Sequence, residues 1–194
     1  MAPHSRAFVL ILLVLAQRSE RALVLNRRMR ISRAPTTILF GTETGDCLVL
    51  AEFAGQIAGR LGLPFRIADS ATYDMSALTS EQTIIFIVST HEGLPPRSAI
   101  EFFELLEEGE LPLNSLYYAV LAVGDSSYDD FCAAGLRADK ALEGRGASRL
   151  ATCCQIDAHE RSLGREWIEG VLAGLSQSRA SAVRNEDAPP ASPS

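Results

Sequence analysis

Residues 36–47 read Thr-Thr-Ile-Leu-Phe-Gly-Thr-Glu-Thr-Gly-Asp-Cys (TTILFGTETGDC) and run directly into LVLAEFAGQIAGRL. TTILF, Thr36 to Phe40, has the β-branched and aromatic make-up of a buried strand. Further on, Leu50, Phe53, Ala54, Ile57, Ala58 and Leu61 recur at helical spacing and predict a helix with one apolar face. The turn between them carries two glycines, two hydroxyls and two acids, with no Lys or Arg. A helix N-terminus presents unpaired, partly positive N–H groups, so a phosphate can be held there without a cation. Thr42 and Thr44 add hydroxyls, and Gly45 permits close backbone approach. Glu43 and Asp46 are expected to point away, because either would repel a phosphate dianion. Thr and Asp are also ordinary helix caps, so taken alone the turn admits a plain capping role.

Outward from this stretch, short apolar runs alternate with helical periodicity. PFRIAD (64–69) reads as a short strand and TIIFIV (83–88) as a central parallel strand buried on both faces. A helix burying Ala99, Phe102, Phe103 and Leu106 follows, with Glu101, Glu104 and Glu108 outside. YYAVLAV (117–123) is the next strand, then a helix around AGLRADKALEGRG, then a fifth strand within ASRLATCCQID (147–157). Leu163, Trp167, Val171 and Leu175 space a closing helix. Strands separated by helices predict an α/β domain, a doubly wound five-stranded parallel sheet of order 2-1-3-4-5 with helices on both faces.

The 194 residues are 47% apolar and 22% charged, the composition of one globular domain. That domain is placed at 35–175, between a basic, partly apolar segment (1–34) and a disordered Ser-, Ala- and Pro-rich tail (176–194). Seven arginines and one acid, Glu20, precede Pro35, so with a chain total of −6 the remainder carries −12. An acidic body argues against nucleic acid and suits a basic protein partner, or simply keeps the domain soluble. The four cysteines, Cys47, Cys132, Cys153 and Cys154, form no C-x-x-C pair, which argues against zinc and for a reduced, cytoplasmic setting. Cys153 and Cys154 read as small core residues. AFVLILLVLA (7–16) is too short to span a bilayer. It is open as a signal peptide or weak anchor, a disordered arm, or sequence upstream of a true start at Met29. Membrane contact depends on that segment.

In a doubly wound sheet, ligands bind outside the carboxyl ends of the strands where strand order reverses. Besides 41–47, two loops reach that edge: STHEGLPP (89–96) and GDSSYDDFC (124–132). Asp125 or Ser126 can cap a helix, while Tyr128 is placed to stack on a flat ligand. A phosphate turn, a polar loop and an aromatic face together imply a nucleotide with a planar ring.

GTETGDC, VSTHEGLPP and AVGDSSYDDFCAAGLRADKALEGRGASRL resemble the flavodoxin-like FMN-binding domain of the diflavin reductase family. They are most similar to the flavoprotein subunit of NADPH-dependent sulfite reductase. The similarity runs from about Thr36 to Leu175, and IDAHERSLGREWIEGVLAGL also resembles that subunit. It implies an FMN phosphate loop of Thr42, Glu43, Thr44, Gly45, Asp46 and Cys47. By the same resemblance, Ser89, Thr90, His91 and Gly93 line one side of the isoalloxazine ring. Gly124, Asp125, Tyr128 and Phe131 form the other side, and Asp157 matches an acidic position near the flavin. Two features depart from the family pattern. The second loop, usually S-T-x-G-x-G, is one glycine short here, which is expected to hinder the backbone reorientation by which relatives meet reduced flavin. Glu43 stands where close relatives tend to have Gln.

The resemblance implies an FMN-dependent electron carrier between a separate flavin reductase and a haem or iron–sulfur enzyme such as sulfite reductase. No G-x-G-x-x-G supports a dinucleotide module, so the chain is not expected to take hydride from NADPH unaided. A fragment of a split diflavin reductase and a cofactor-free interaction module are the alternatives. A phosphoacceptor receiver lacks the acidic cluster it needs after the first strand.

Overall fold

The computed structural model of the protein describes residues 34–110 and 112–186. The chain divides into a unit spanning Ser32–Ser176 and a flanking unit of Met1–Ile31 with Gln177–Ser194. The expectations for the N-terminal segment fall on residues 1–33, outside the described residues.

The elements follow one another as β1 (Thr36–Gly41), α1 (Asp46–Arg60), β2 (Phe65–Asp69), β3 (Thr83–Ser89), α2 (Ile100–Glu108), β4 (Tyr117–Gly124) and α3 (Ala133–Gly144). Two short strands, β5 (Ser148–Arg149) and β6 (Cys154–Asp157), and a long helix α4 (Arg161–Glu186) close the order. The parallel sheet runs β2-β1-β3-β4-β5, with β6 also on β4, so the doubly wound order 2-1-3-4-5 is present. Strand order reverses between β1 and β3, which sets the crevice at their carboxyl ends.

Alternation along β3 and β4 explains why both read as unbroken apolar runs. Ile84, Phe86 and Val88 join Leu39, Tyr118 and Val120 in one core with Phe102, Phe103 and Leu106 of α2 and Ala134, Ala138 and Leu142 of α3. Ile85 and Ile87 point to the opposite face and are also fully buried. Each such Ile, Leu or Phe contributes about 2 kcal/mol by leaving water. At the amino edge Glu81 is buried but satisfied. It accepts hydrogen bonds from Thr37 at 2.8 Å and Tyr73 at 2.7 Å and pairs with Arg66.

Five expectations are corrected. The fifth strand is two pieces, because the chain leaves the sheet between Leu150, whose N–H donates to the Tyr118 carbonyl, and Cys154. Cys153 and Cys154 are half-buried rather than core residues. Leu61 ends α1 as its C-cap and is exposed. The buried face of α4 is Gly164, Ile168, Leu172 and Leu175, while Leu163 is 49% exposed. Gly164 is the reason: a Cβ there would stand 2.7 Å from Ile156 Cδ1 and 3.4 Å from Leu121 Cδ2, so the helix lies on β4 and β6 through a residue with no apolar bulk. That helix also continues to Glu186, where the sequence placed a disordered tail from 176; residues 187–194 lie outside the described residues.

Candidate functional site: three loops at the carboxyl edge

The first loop joins β1 to α1. Thr42 Oγ1 accepts the N–H of Gly45 at 2.9 Å and that of Cys47 at 3.4 Å, folding the turn around its own hydroxyl. Gly45 has φ +93°, a left-handed conformation that disfavours a side chain, and a Cβ placed there would meet nothing within 4 Å. Among the described residues the loop therefore opens onto free space at the N-terminus of a 15-residue helix. Among the described residues the N–H groups of Thr44 and Asp46 have no acceptor. Cys47 is fully buried in the first turn, and burial pushes its thiol up to about 12, so it serves packing.

The two acids of this loop are turned aside. Glu43 accepts the N–H of Arg97 at 2.9 Å, with the Arg97 guanidinium 4.0 Å away. Asp46 accepts Arg161 Nη2 at 2.6 Å and the Thr44 hydroxyl at 3.1 Å. Paired in this way, the loop presents backbone N–H groups without a net negative charge.

The second loop leaves β3 at Ser89. Thr90 donates its N–H to the Val123 carbonyl at 2.8 Å and accepts the Ala134 N–H on its hydroxyl at 3.1 Å, which ties the loop to the start of α3. His91 and Leu94 then exchange both backbone hydrogen bonds at 2.9 Å around Glu92 (φ +50°) and Gly93 (φ +77°). Two left-handed residues inside such a pair make a two-residue hairpin of the I′ kind. Glu92 thus adopts the conformation that a glycine would otherwise supply. Gly93 faces the third loop closely, since a Cβ would lie 2.8 Å from Asp130 Oδ2. Among the described residues Ser89 Oγ is buried without a hydrogen-bond partner.

The third loop follows β4. Asp125 Oδ1 accepts the N–H and hydroxyl of Ser127 at 2.9 and 2.5 Å, and these bonds lower its carboxyl below the usual range. Asp157, at the end of β6, accepts the Ser126 hydroxyl at 2.7 Å, the Ser126 N–H at 2.9 Å and the His159 N–H at 2.8 Å. The Ser126 hydroxyl, followed by those two N–H groups, pulls Asp157 down to about 2. The carboxylate therefore works as a loop anchor. Tyr128 is 64% exposed and its ring stacks on no other aromatic ring among the described residues. Phe131 is half-buried beside Gly124, where a Cβ would come within 3.0 Å of its ring.

All fifteen residues singled out in the sequence lie on these three loops or on the element ends that border them: Asp46 and Cys47 open α1, Ser89 and Gly124 close β3 and β4, and Asp157 ends β6. Arg97, Ala134 and Arg161 are not legible as partners in the sequence, because they contact the loops only through the fold; Ser126, read there as a possible helix cap, ties the third loop to Asp157. Together the contacts close a circuit: loop one to loop two (Glu43–Arg97), loop two to α3 (Thr90–Ala134), loop three to β6 (Ser126–Asp157) and α4 back to loop one (Arg161–Asp46). Free N–H groups, open space above Gly45 and an unstacked tyrosine fit a phosphate carrying a flat ring.

A doubly wound sheet with a Gly- and Thr-rich turn at its switch point, carrying no Lys or Arg of its own, is a flavodoxin-type architecture. The chain belongs to the flavodoxin family: the family model described as Flavodoxin matches residues 38–167. Flavodoxins are FMN proteins. The chain is 36% identical over 143 residues to a sulfite reductase [NADPH] flavoprotein alpha-component of Bacillus subtilis (strain 168), covering 73% of this chain and 24% of the relative. It is also 36% identical over 140 residues to NADPH oxidoreductase A of Dictyostelium discoideum, covering 71% of this chain and 22% of the relative. The chain thus spans about a quarter of the length of these curated relatives. Among solved structures, a flavodoxin of Streptococcus pneumoniae TIGR4 superposes with a TM-score of 0.67 at 27% identity, covering 74% of this chain and 99% of that one. Among the described residues no helix is long and apolar enough to cross a membrane.

Proposed function

We propose that this domain holds FMN at the three-loop edge and relays electrons from a flavin reductase outside these 194 residues to a haem or iron–sulfur acceptor such as sulfite reductase. The observation that carries it is the meeting, at one sheet edge, of a phosphate turn whose acids are diverted and a tyrosine whose ring faces solvent. FMN, when bound, supplies the one- and two-electron redox chemistry. The chain's part is to bind and to tune. The N–H groups of Thr44 and Asp46 would receive the phosphate, and Tyr128 would cover one ring face. His91, Gly93 and the loop around them would flank the other. Glu92, Asp125, Asp129 and Asp130 are all exposed at this edge, so they disfavour further negative charge there and steer basic partner surfaces towards it. The sulfite reductase relatives support this assignment through their names and through the segment matched.

The FMN-loaded domain, mixed with a flavin reductase and NADPH, is expected to bleach and then recover its colour as a haem acceptor is reduced, faster at low salt than at high salt. A loaded domain that the reductase cannot reduce, or that reduces no acceptor, would refute the relay.

A further inference from the structure

Asp46 is the first residue of α1, and its own N–H is one of the unpaired groups at the phosphate turn. An unpaired carboxylate at this point would stand beside any phosphate the turn accepts. Its restraint comes from Arg161, the first residue of α4 and 115 positions along the chain. Arg161 Nη2 donates to Asp46 Oδ1 at 2.6 Å, while its Nε donates to the Ala158 carbonyl at 3.3 Å, so the guanidinium is held from two sides. The other oxygen, Oδ2, accepts the Thr44 hydroxyl at 3.1 Å. Arg161 and Asp46 side chains are 44% and 31% exposed, and a pair so open to solvent adds little to stability. What it does is direct and neutralise one carboxylate.

We propose that Arg161 is a positioning residue that sets specificity for a phosphorylated ligand: by holding Asp46 it lets the first loop accept a phosphate monoester, without touching the ligand itself. The proposal rests on the FMN assignment. Glu43, the other acid of the loop, is held by the second loop instead: it accepts the Arg97 N–H at 2.9 Å, with the Arg97 guanidinium 4.0 Å away. Removing the Arg161 guanidinium frees a negative charge at the first residue of α1, in the turn that would receive the phosphate. The loss should therefore fall on FMN and spare riboflavin, which has the same ring and ribityl chain without the phosphate.

The test is to titrate the folded protein with FMN and, separately, with riboflavin, following flavin fluorescence. For Arg161→Met the FMN-to-riboflavin affinity ratio should drop about tenfold with riboflavin affinity within about twofold of wild type. The defect should shrink at high salt, and Arg161→Met combined with Asp46→Asn should restore the ratio. Equal loss of both flavins, or no rescue by Asp46→Asn, would overturn the proposal while leaving the FMN site intact. Should Arg161→Met fail to fold, Asp46→Asn alone decides, since the ratio must hold or rise and a fall would overturn it. A folded wild-type protein that binds neither flavin would overturn the FMN assignment and this proposal with it.

Discussion

The carboxylate of Glu43 accepts the backbone N–H of Arg97 at 2.9 Å, joining two loops whose contributing residues are 54 positions apart. This one contact shows where one acid of the first loop goes: its carboxylate is held by the neighbouring loop. Glu43→Ala should weaken FMN binding about tenfold or more, the cost of one hydrogen bond to a charged acceptor. Glu43→Gln keeps an acceptor oxygen and should stay within about twofold of wild type. Equal losses in both variants, measured by calorimetric titration, would mean that charge rather than the clasp matters.

Tyr128 offers an exposed ring at the same edge. Tyr128→Ala should weaken FMN about fivefold or more, in line with about 1 kcal/mol for an aromatic stack. Fluorescence of the bound flavin should rise at the same time, since stacking quenches it. Unchanged affinity and fluorescence would take Tyr128 out of the site.

Glu92 sits at φ +50° at the first position of the hairpin turn, with Gly93 following. Asn tolerates that region better than Glu, and Asn-Gly is the favoured pair for a turn of this type. Glu92→Asn is expected to raise stability by about 0.5–1 kcal/mol, seen as a higher thermal midpoint of the apoprotein. A lowered midpoint would show that the Glu92 side chain contributes more than its backbone strain removes.

Asp157 titrates at about 2 when folded, below the ordinary carboxylate value of about 3.9. A depressed acid stabilises the fold fully above its unfolded pKa and loses that contribution as pH falls through the folded one. The Ser126 tether should accordingly hold down to about pH 4 and be lost between there and about pH 2. Carbon-detected NMR of the Asp157 carboxyl should show a midpoint near 2; a midpoint near 4 would mean that the tether is not formed in solution.

Those parts of the fold that depend on local pattern were legible in the sequence. β3 and β4 lie buried on both faces, so burial itself writes an unbroken apolar run. The switch-point loops followed from where those strands end. What pattern could not show was contact between distant residues: Arg97 with Glu43, and Arg161 with Asp46. The face of α4 was misjudged because its closest approach to the sheet is Gly164, which carries no hydrophobic signal. The second loop, one glycine short of the family pattern, places Glu92 itself in the left-handed region, which its sequence alone did not reveal.

Mixing the purified protein with FMN, desalting it and recording the visible absorption spectrum tests the central claim most directly. Retained yellow colour at one flavin per folded chain is the expected result. A folded protein that emerges colourless, with no measurable FMN affinity by titration, would contradict the assignment and leave a flavodoxin-family domain that works without the cofactor.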